Sequence, residues 1–171
     1  MPERNNPLIF IQNQTCCFTG HRFIDSEALP TVKRALDFEV KRLYEGGVRN
    51  YITGGALGFD TLAAEAVIKF KLEHPDVHLI IALPCTDHDA KWTEAQRRRS
   101  EVIKHHADLV HILSPRYYDG CMQARNRYMV DNSSQCISYC KRNYGGTYST
   151  VCYAKRKGLR ISELSDVVFP F

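Results

Sequence analysis

Tyr51-Ile52-Thr53-Gly54-Gly55-Ala56-Leu57-Gly58-Phe59-Asp60 is the stretch whose reading decides the fold. A short β-like run, Val48 to Thr53, enters a glycine-rich turn, and a helix-patterned stretch from Asp60 to Glu73 leaves it. A strand, a glycine turn and a helix N-terminus in that order make a physical site for an anion. The first turn of a helix has unpaired N–H groups and carries the positive end of the macrodipole. Glycine lets the backbone approach a phosphate with no Cβ in the way. The spacing is G-G-x-x-G, which is neither the Walker pattern nor G-x-G-x-x-G. The competing reading is a tight β-to-α turn that binds nothing.

Outward from this turn, apolar runs alternate with helical patterns. Strands are predicted at Cys16–Thr19, Val48–Thr53, Val77–Leu83, Asp108–Leu113, Gln135–Tyr139 and Arg160–Leu164. Helices are predicted at Leu29–Tyr44, Leu62–Leu72, Ala90–His106, Met122–Asp131 and Thr147–Lys157. In the first helix Val32, Leu36, Val40 and Leu43 form a 3.6-period stripe, and Gly46-Gly47 stops it. Val77 to Leu83 is almost wholly apolar, as a strand covered on both faces should be. Repeated β-α units predict a Rossmann-like, doubly wound α/β fold. Its sheet should be mainly parallel, of about five to six strands, with helices on both faces. Residues 1–14 read as a flexible lead-in or edge segment, and residues 15–171 as one domain.

Composition sets the bounds. The chain has 171 residues, 44% hydrophobic and 25% charged, with a net charge of +4. Its basic runs, such as Arg97-Arg98-Arg99, lie in helical segments and read as solvated faces. The seven cysteines are odd in number and contain no C-x-x-C, which points to buried thiols in a reducing, cytoplasmic setting. Asp87-His88-Asp89 has metal-ligating residue types, but three consecutive residues do not converge on one ion, so no metal site is assigned. Met1 to Asn6 is polar and Leu8 to Ile11 too short for a secretory h-region, so no signal peptide is expected. No apolar run reaches the length of a membrane span.

In an open α/β sheet, ligands sit beyond the carboxyl ends of the strands. That rule gathers the loops after each strand into one crevice. It selects Gly20, His21 and Arg22 after the first strand, and Gly54, Gly55, Gly58 and Asp60 after the second. Pro84, Asp87 and Trp92 follow the third, and Arg125 and Asn126 lie beyond the fourth. Gly145, Gly146 and Thr147 follow the fifth. The two glycine turns suit a diphosphate, or a phosphate plus a ribose. Arg22 and Arg125 would bind the anion and Trp92 would stack on a base; the competing readings are a solvated Arg125 and a Trp92 that anchors its helix against the core. Arg22 has the alternative of a surface ion pair with Asp25. His21, Asp60 and Asp87 are the candidates for acid–base chemistry. Gly55→Asp is expected to abolish nucleotide binding and leave the fold intact.

These motifs together resemble a known family. The resemblance is carried by Thr19-Gly20-His21-Arg22, by Gly54 to Asp60, by Pro84 with Trp92, by Gly120-Cys121-Met122 with Arg125 to Asp131, and by Gly145-Gly146-Thr147 with Tyr153-Ala154. The chain is similar, from about Cys16 to Leu164, to the YpsA-like family of the SLOG superfamily. Relatives in that superfamily include the LOG-type (lysine-decarboxylase-like) nucleotide phosphoribohydrolases and the DNA-processing protein DprA. The resemblance implies a Rossmann-like fold and a bound NAD- or ADP-ribose-like nucleotide, with no other cofactor required. It also implies a sensing or signalling role, and homodimerisation by analogy only. LOG enzymes carry P-G-G-x-G-T-x-x-E, whose glutamate serves catalysis. Here Tyr144 stands for the proline, Tyr148 for the third glycine and Cys152 for the glutamate. Binding without turnover is therefore the expected function. The alternatives are a nucleotide phosphoribohydrolase and a DprA-like single-stranded DNA binder. For the last, the Arg97–Arg99 run lacks the interleaved aromatics of a stacking groove, so nucleic acid is not the expected partner.

Overall fold

The protein is described here by a computed structural model over residues 11–167. Residues 1–10 of the predicted lead-in and residues 168–171 of the predicted domain lie outside the described residues. Six strands form one sheet: β1 (Thr15–Gly20), β2 (Asn50–Thr53), β3 (His78–Leu83), β4 (Leu109–Ile112), β5 (Gln135–Tyr139) and β6 (Arg160–Glu163). Five helices connect them: α1 (Leu29–Glu45), α2 (Phe59–Lys71), α3 (Glu94–His106), α4 (Cys121–Asp131) and α5 (Gly145–Arg156). The strand order is β4-β3-β2-β1-β5-β6, and every pairing is parallel. This is the Rossmann-like α/β architecture the sequence predicts.

The two-residue period of the strands sorts the core into two layers. Cys16, Phe18, Tyr51, Leu79 and Ile81 face one side and pack with Leu36 and Val40 of α1, Phe59 and Ala63 of α2, and Ile103 of α3. Cys17, Ile52, Ile80, Ala82 and Cys136 face the other and pack with Met129 and Val130 of α4 and Ala154 of α5. All seven cysteines are free, five of them buried. Among the described residues no helix is long and apolar enough to cross a membrane.

One local feature differs from the sequence expectation. The helix predicted from Ala90 begins at Glu94. Thr93 supplies the cause: its Oγ1 accepts the Gln96 N–H at 3.2 Å, and Gln96 Oε1 accepts the Thr93 N–H at 2.9 Å. This reciprocal capping box ends the preceding turns and leaves Trp92 outside the helix. At the start, Gln12–Gln14 form a 3-10 turn tied to the body. Arg49 N–H donates to the Gln14 carbonyl at 2.9 Å, and Gln12 Nε2 to the Ser133 carbonyl at 3.4 Å.

The topology places the site. From β1 the chain steps outward through β2 and β3 to β4, then returns across the sheet to β5 on the other side of β1. The carboxyl ends of β1 and β5 are therefore the switch point, where loops diverge and leave a crevice.

Tyr51 ties the sheet to α1. It is fully buried, and its hydroxyl donates to the Val40 carbonyl at 2.7 Å. Tyr51→Phe removes the donor while keeping the ring, so the expected loss is about 0.5–1.5 kcal/mol. Urea unfolding should show a lower midpoint at unchanged slope; an unchanged midpoint would contradict the assigned bond.

Candidate ligand-binding crevice

The floor of the crevice is a close meeting of the β1–α1 loop with the β2–α2 turn. Phe59 N–H donates to the His21 carbonyl at 3.0 Å. Two glycines make that approach possible. A Cβ on Gly58 (φ 77°) would sit 2.2 Å from the Arg22 carbonyl oxygen, and a Cβ on Gly20 would sit 2.3 Å from the Phe59 ring. Both positions require the absence of a side chain for protein packing alone.

The β2–α2 turn forms an anion nest, and the protein fills it. Asp60, in the first turn of α2 and 6% exposed, accepts the Ala56 N–H at 3.2 Å. Thr53 Oγ1 accepts the Gly55 N–H at 3.2 Å. Arg125 reaches across from α4, 5% exposed, and donates to the Gly54 carbonyl through Nη1 and to Asn126 Oδ1 through Nε at 2.8 Å. A Cβ on Gly54 would lie 2.6 Å from Arg125 Nη1 and 2.8 Å from Asp60 Oδ2. Burial pushes the Asp60 carboxyl above its ordinary value, against the pull of Arg125, the Ala56 and Gly54 amides and Arg22. Burial likewise lowers the Arg125 guanidinium, while Asp60 pulls it up. The two are a mutually supporting buried pair without direct ion-pair contact.

The second glycine turn is built the opposite way. Gly145 (φ 89°) and Gly146 open α5, and a Cβ on either would have nothing within 4 Å. No side chain caps this helix, so its first N–H groups point outward with their dipole uncompensated. Arg22 and Arg142 stand exposed beside it. Arg22 makes no ion pair among the described residues, so the alternative pairing with Asp25 does not form. Arg142 lies 5.8 Å over the Tyr144 ring. The crevice these groups enclose has a volume of about 420 Å³. It spans β1, the first turn of α5 and the inner face of α4.

His21 holds the β1 and β5 loops together. Its Nε2 accepts the Lys141 backbone N–H at 2.8 Å, which places the proton of the neutral ring on Nδ1. Burial lowers its pKa, and Arg142 and Lys141 lower it further, against Glu163.

The predicted site residues divide as follows. Gly20, His21, Arg22, Asp60, Arg125, Asn126, Gly145, Gly146 and Thr147 line this crevice. Gly55, Gly58 and Trp92 line a smaller neighbouring cavity of about 180 Å³, which shares Arg22, Ala56 and Asp60 with the first. Gly54 and Pro84 line neither cavity; Pro84 is buried. Asp87 is exposed and lines neither. Phe23, Met122, Met129, Arg142 and Tyr144 also line the crevice and were not singled out as binding residues. Arg142 and Tyr144 adjoin the second glycine turn, a signal that could have found them. The expectation for Gly55→Asp is corrected: a Cβ there would lie 2.6 Å from Leu83 Cδ2 at φ 66°. The substitution would strain the fold against β3 rather than place a carboxylate beside a ligand.

The fold and crevice together define a Rossmann-like protein with an open helix N-terminus at its switch point. A family model described as the YspA SLOG family, YpsA, matches residues 17–160, and the chain belongs to this family. A UPF0398 protein of Halalkalibacterium halodurans is 36% identical over 104 residues, 60% of this chain and 55% of that protein. A UPF0398 protein of Bacillus cereus strain G9842 is 28% identical over 156 residues, 84% of this chain and 85% of its own length. Among solved structures, the DNA processing protein A of Streptococcus pneumoniae matches with a TM-score of 0.63 at 20% identity, over 90% of this chain and 54% of that one. The Helicobacter pylori protein, described for its single-stranded DNA binding mode, matches with a TM-score of 0.60 at 21% identity, over 89% and 65%. The chain thus spans about half the length of the first of these relatives and of the first of these structures. At such identities the structural likeness shows the fold.

Gly58→Ala should destabilise by ~1–3 kcal/mol or more, since a backbone carbonyl must move. Gly146→Ala, in open space, should leave the melting temperature within a degree or two, or about 0.5 kcal/mol. Equal losses at the two positions in thermal melts would contradict the assigned packing. For His21 the folded value is depressed, so the unfolded chain takes up the proton first. Its stabilisation is complete above the ordinary value of 6.5 and falls as pH drops toward the folded value. Because burial also lowers His88, the readout is a difference. Denaturation midpoints of His21→Gln should fall less on acidification than those of the parent, and parallel pH profiles would refute it.

Proposed function

We propose that the crevice binds a phosphate-bearing, nucleotide-derived molecule of the NAD or ADP-ribose kind, with a phosphate on the N-terminus of α5, as a sensing rather than a turnover site. The observation that carries this is the contrast between the two glycine turns. The nest at α2 holds the protein's own carboxylate, while α5 presents free amides beside Arg22 and Arg142. A helix terminus contributes ~0.3–1 kcal/mol to an exposed anion, and a charge-assisted bond about 1.5–3 kcal/mol. A volume of about 420 Å³ suits a nucleotide-sized ligand. Against hydrolysis, Asp60 is the one carboxylate lining the crevice among the described residues, and it is committed to the turn. The seven free thiols support a reducing, cytoplasmic setting as part of this reading. Homodimerisation belongs to this reading by superfamily analogy alone.

A specific observation favours a second reading, single-stranded nucleic acid. Phe23 (76% exposed), Tyr117, Tyr118 and Tyr144 (65% exposed) stand exposed at the loops that follow β1, β4 and β5, and Tyr148 is exposed in the first turn of α5. Arg22, Arg116 and Arg142 are interleaved with them. Aromatics alternating with cations are what a stacking groove needs. The H. pylori DNA processing protein A, described as binding single-stranded DNA, shares the fold.

Gly146→Asp tests the first reading. It places a carboxylate at the α5 terminus, where nothing opposes a Cβ. ADP-ribose affinity by calorimetry should fall at least about tenfold at an unchanged melting temperature. Unchanged affinity would remove α5 from the account. Oligonucleotide affinity that outranks ADP-ribose and falls steeply with salt would favour the second reading instead.

A further inference from the structure

Beside the crevice lies the cavity of about 180 Å³ between α2 and α3, flanked by Trp92. Its charge differs from that of the crevice. Arg99 is clamped by Glu65 through two bonds of 2.6 and 2.7 Å, and Lys104 pairs with Glu101 at 2.9 Å. The two cations that α3 contributes to its wall, Arg99 and Lys104, are therefore paired within the protein, and Arg22, at the edge shared with the crevice, is the cation left over. What remains is an apolar base of Ala64, Ile81 and Ile103, a polar edge at Gln96 and Ser100, and the Trp92 indole. Such a lining suits a planar heteroaromatic ring and not a phosphate. Its volume holds one ring system and not a whole nucleotide. Trp92 is set by its surroundings: the His88 ring meets its side chain edge-on at 5.2 Å, and its backbone N–H donates to the Asp89 carbonyl at 3.0 Å. Arg22 lines both compartments and has no ion-pair partner among the described residues.

We infer that the Trp92 cavity is a second subsite, and that the ligand is of the dinucleotide class. One nucleoside occupies the crevice, the linking phosphates run from the α5 terminus to Arg22, and the second ring lies against Trp92. This rests on the crevice reading above and adds to it a preference for two ring systems over one.

Trp92 is the only tryptophan of the chain, so its fluorescence reports this cavity directly. AMP and NAD are the probes, each followed by calorimetry and by Trp92 emission. NAD should bind at least about tenfold tighter than AMP, the scale of one base stacked on an aromatic ring. NAD should also change Trp92 emission, which AMP should leave unaltered. Ser100→Phe, which fills the cavity from the half-exposed side of α3, should bring NAD affinity down to that of AMP and leave AMP binding unchanged. Equal affinities, Trp92 emission indifferent to NAD, or full NAD affinity in Ser100→Phe would each overturn the second subsite with the crevice reading intact. Should Ser100→Phe not fold, the affinity ratio and the emission change in the native chain decide. Failure of both nucleotides to bind would overturn the crevice reading and this inference together.

Discussion

The carboxylate of Asp60, in the first turn of α2 and buried against the glycine turn that precedes that helix, is the constraint on which the rest of the site depends. It accepts the Ala56 amide, and the Arg125 guanidinium crosses from α4 to the Gly54 carbonyl beside it. These contacts bind together the end of β2, the start of α2 and the middle of α4, which come from distant parts of the chain. The geometry leaves no room for a side chain at Gly54, and the next step, at Gly58, leaves none against the β1–α1 loop. A buried charge that loses one partner is far more costly than a pair that was never built. The knot therefore sets the positions of the loops around it with little freedom.

One consequence is a division of labour between two turns that look alike in sequence. Both are glycine pairs between a strand and a helix. At α2 the glycines make room for protein atoms, and the positive helix terminus is neutralised from within. At α5 the glycines face open space, and the terminus is left to whatever enters. The positive charge that Arg22 and Arg142 add on that side gives the crevice a polarity, with its cationic end at the α5 terminus. In the neighbouring cavity the α3 cations Arg99 and Lys104 are already paired with Glu65 and Glu101, and Arg22 at the shared edge is its one link to that field.

Much of this was legible before any coordinates. The strand and helix periods mark every strand and helix named above, because a parallel sheet covered on both faces needs continuous apolar runs and the helices need one apolar stripe. The rule that ligands gather at strand carboxyl ends brought Gly20, His21, Arg22 and Gly145–Thr147 to one place. The start of α3 differs from the apolar periodicity because the Thr93–Gln96 capping box sets it, a T-x-x-Q signal that the sequence carries. Arg125 was not legible: an arginine in a charged helix reads as a solvated or ligand-facing residue, and only tertiary packing shows its bond to Gly54. The same holds for the glycines of the first turn. A sequence shows that a Cβ is missing but not whether a ligand, a carbonyl or a phenyl ring takes its place.

The most direct measurement is the amide spectrum of isotopically labelled protein during titration with ADP-ribose. The account has the phosphate meeting the α5 terminus while the α2 nest remains occupied by Asp60. The amides of Gly145, Gly146 and Thr147 should shift together along one binding curve, with Gly55 and Ala56 moving little. Large shifts at Gly55 and Ala56 with a silent α5 terminus would place the anion in the first turn and contradict the account.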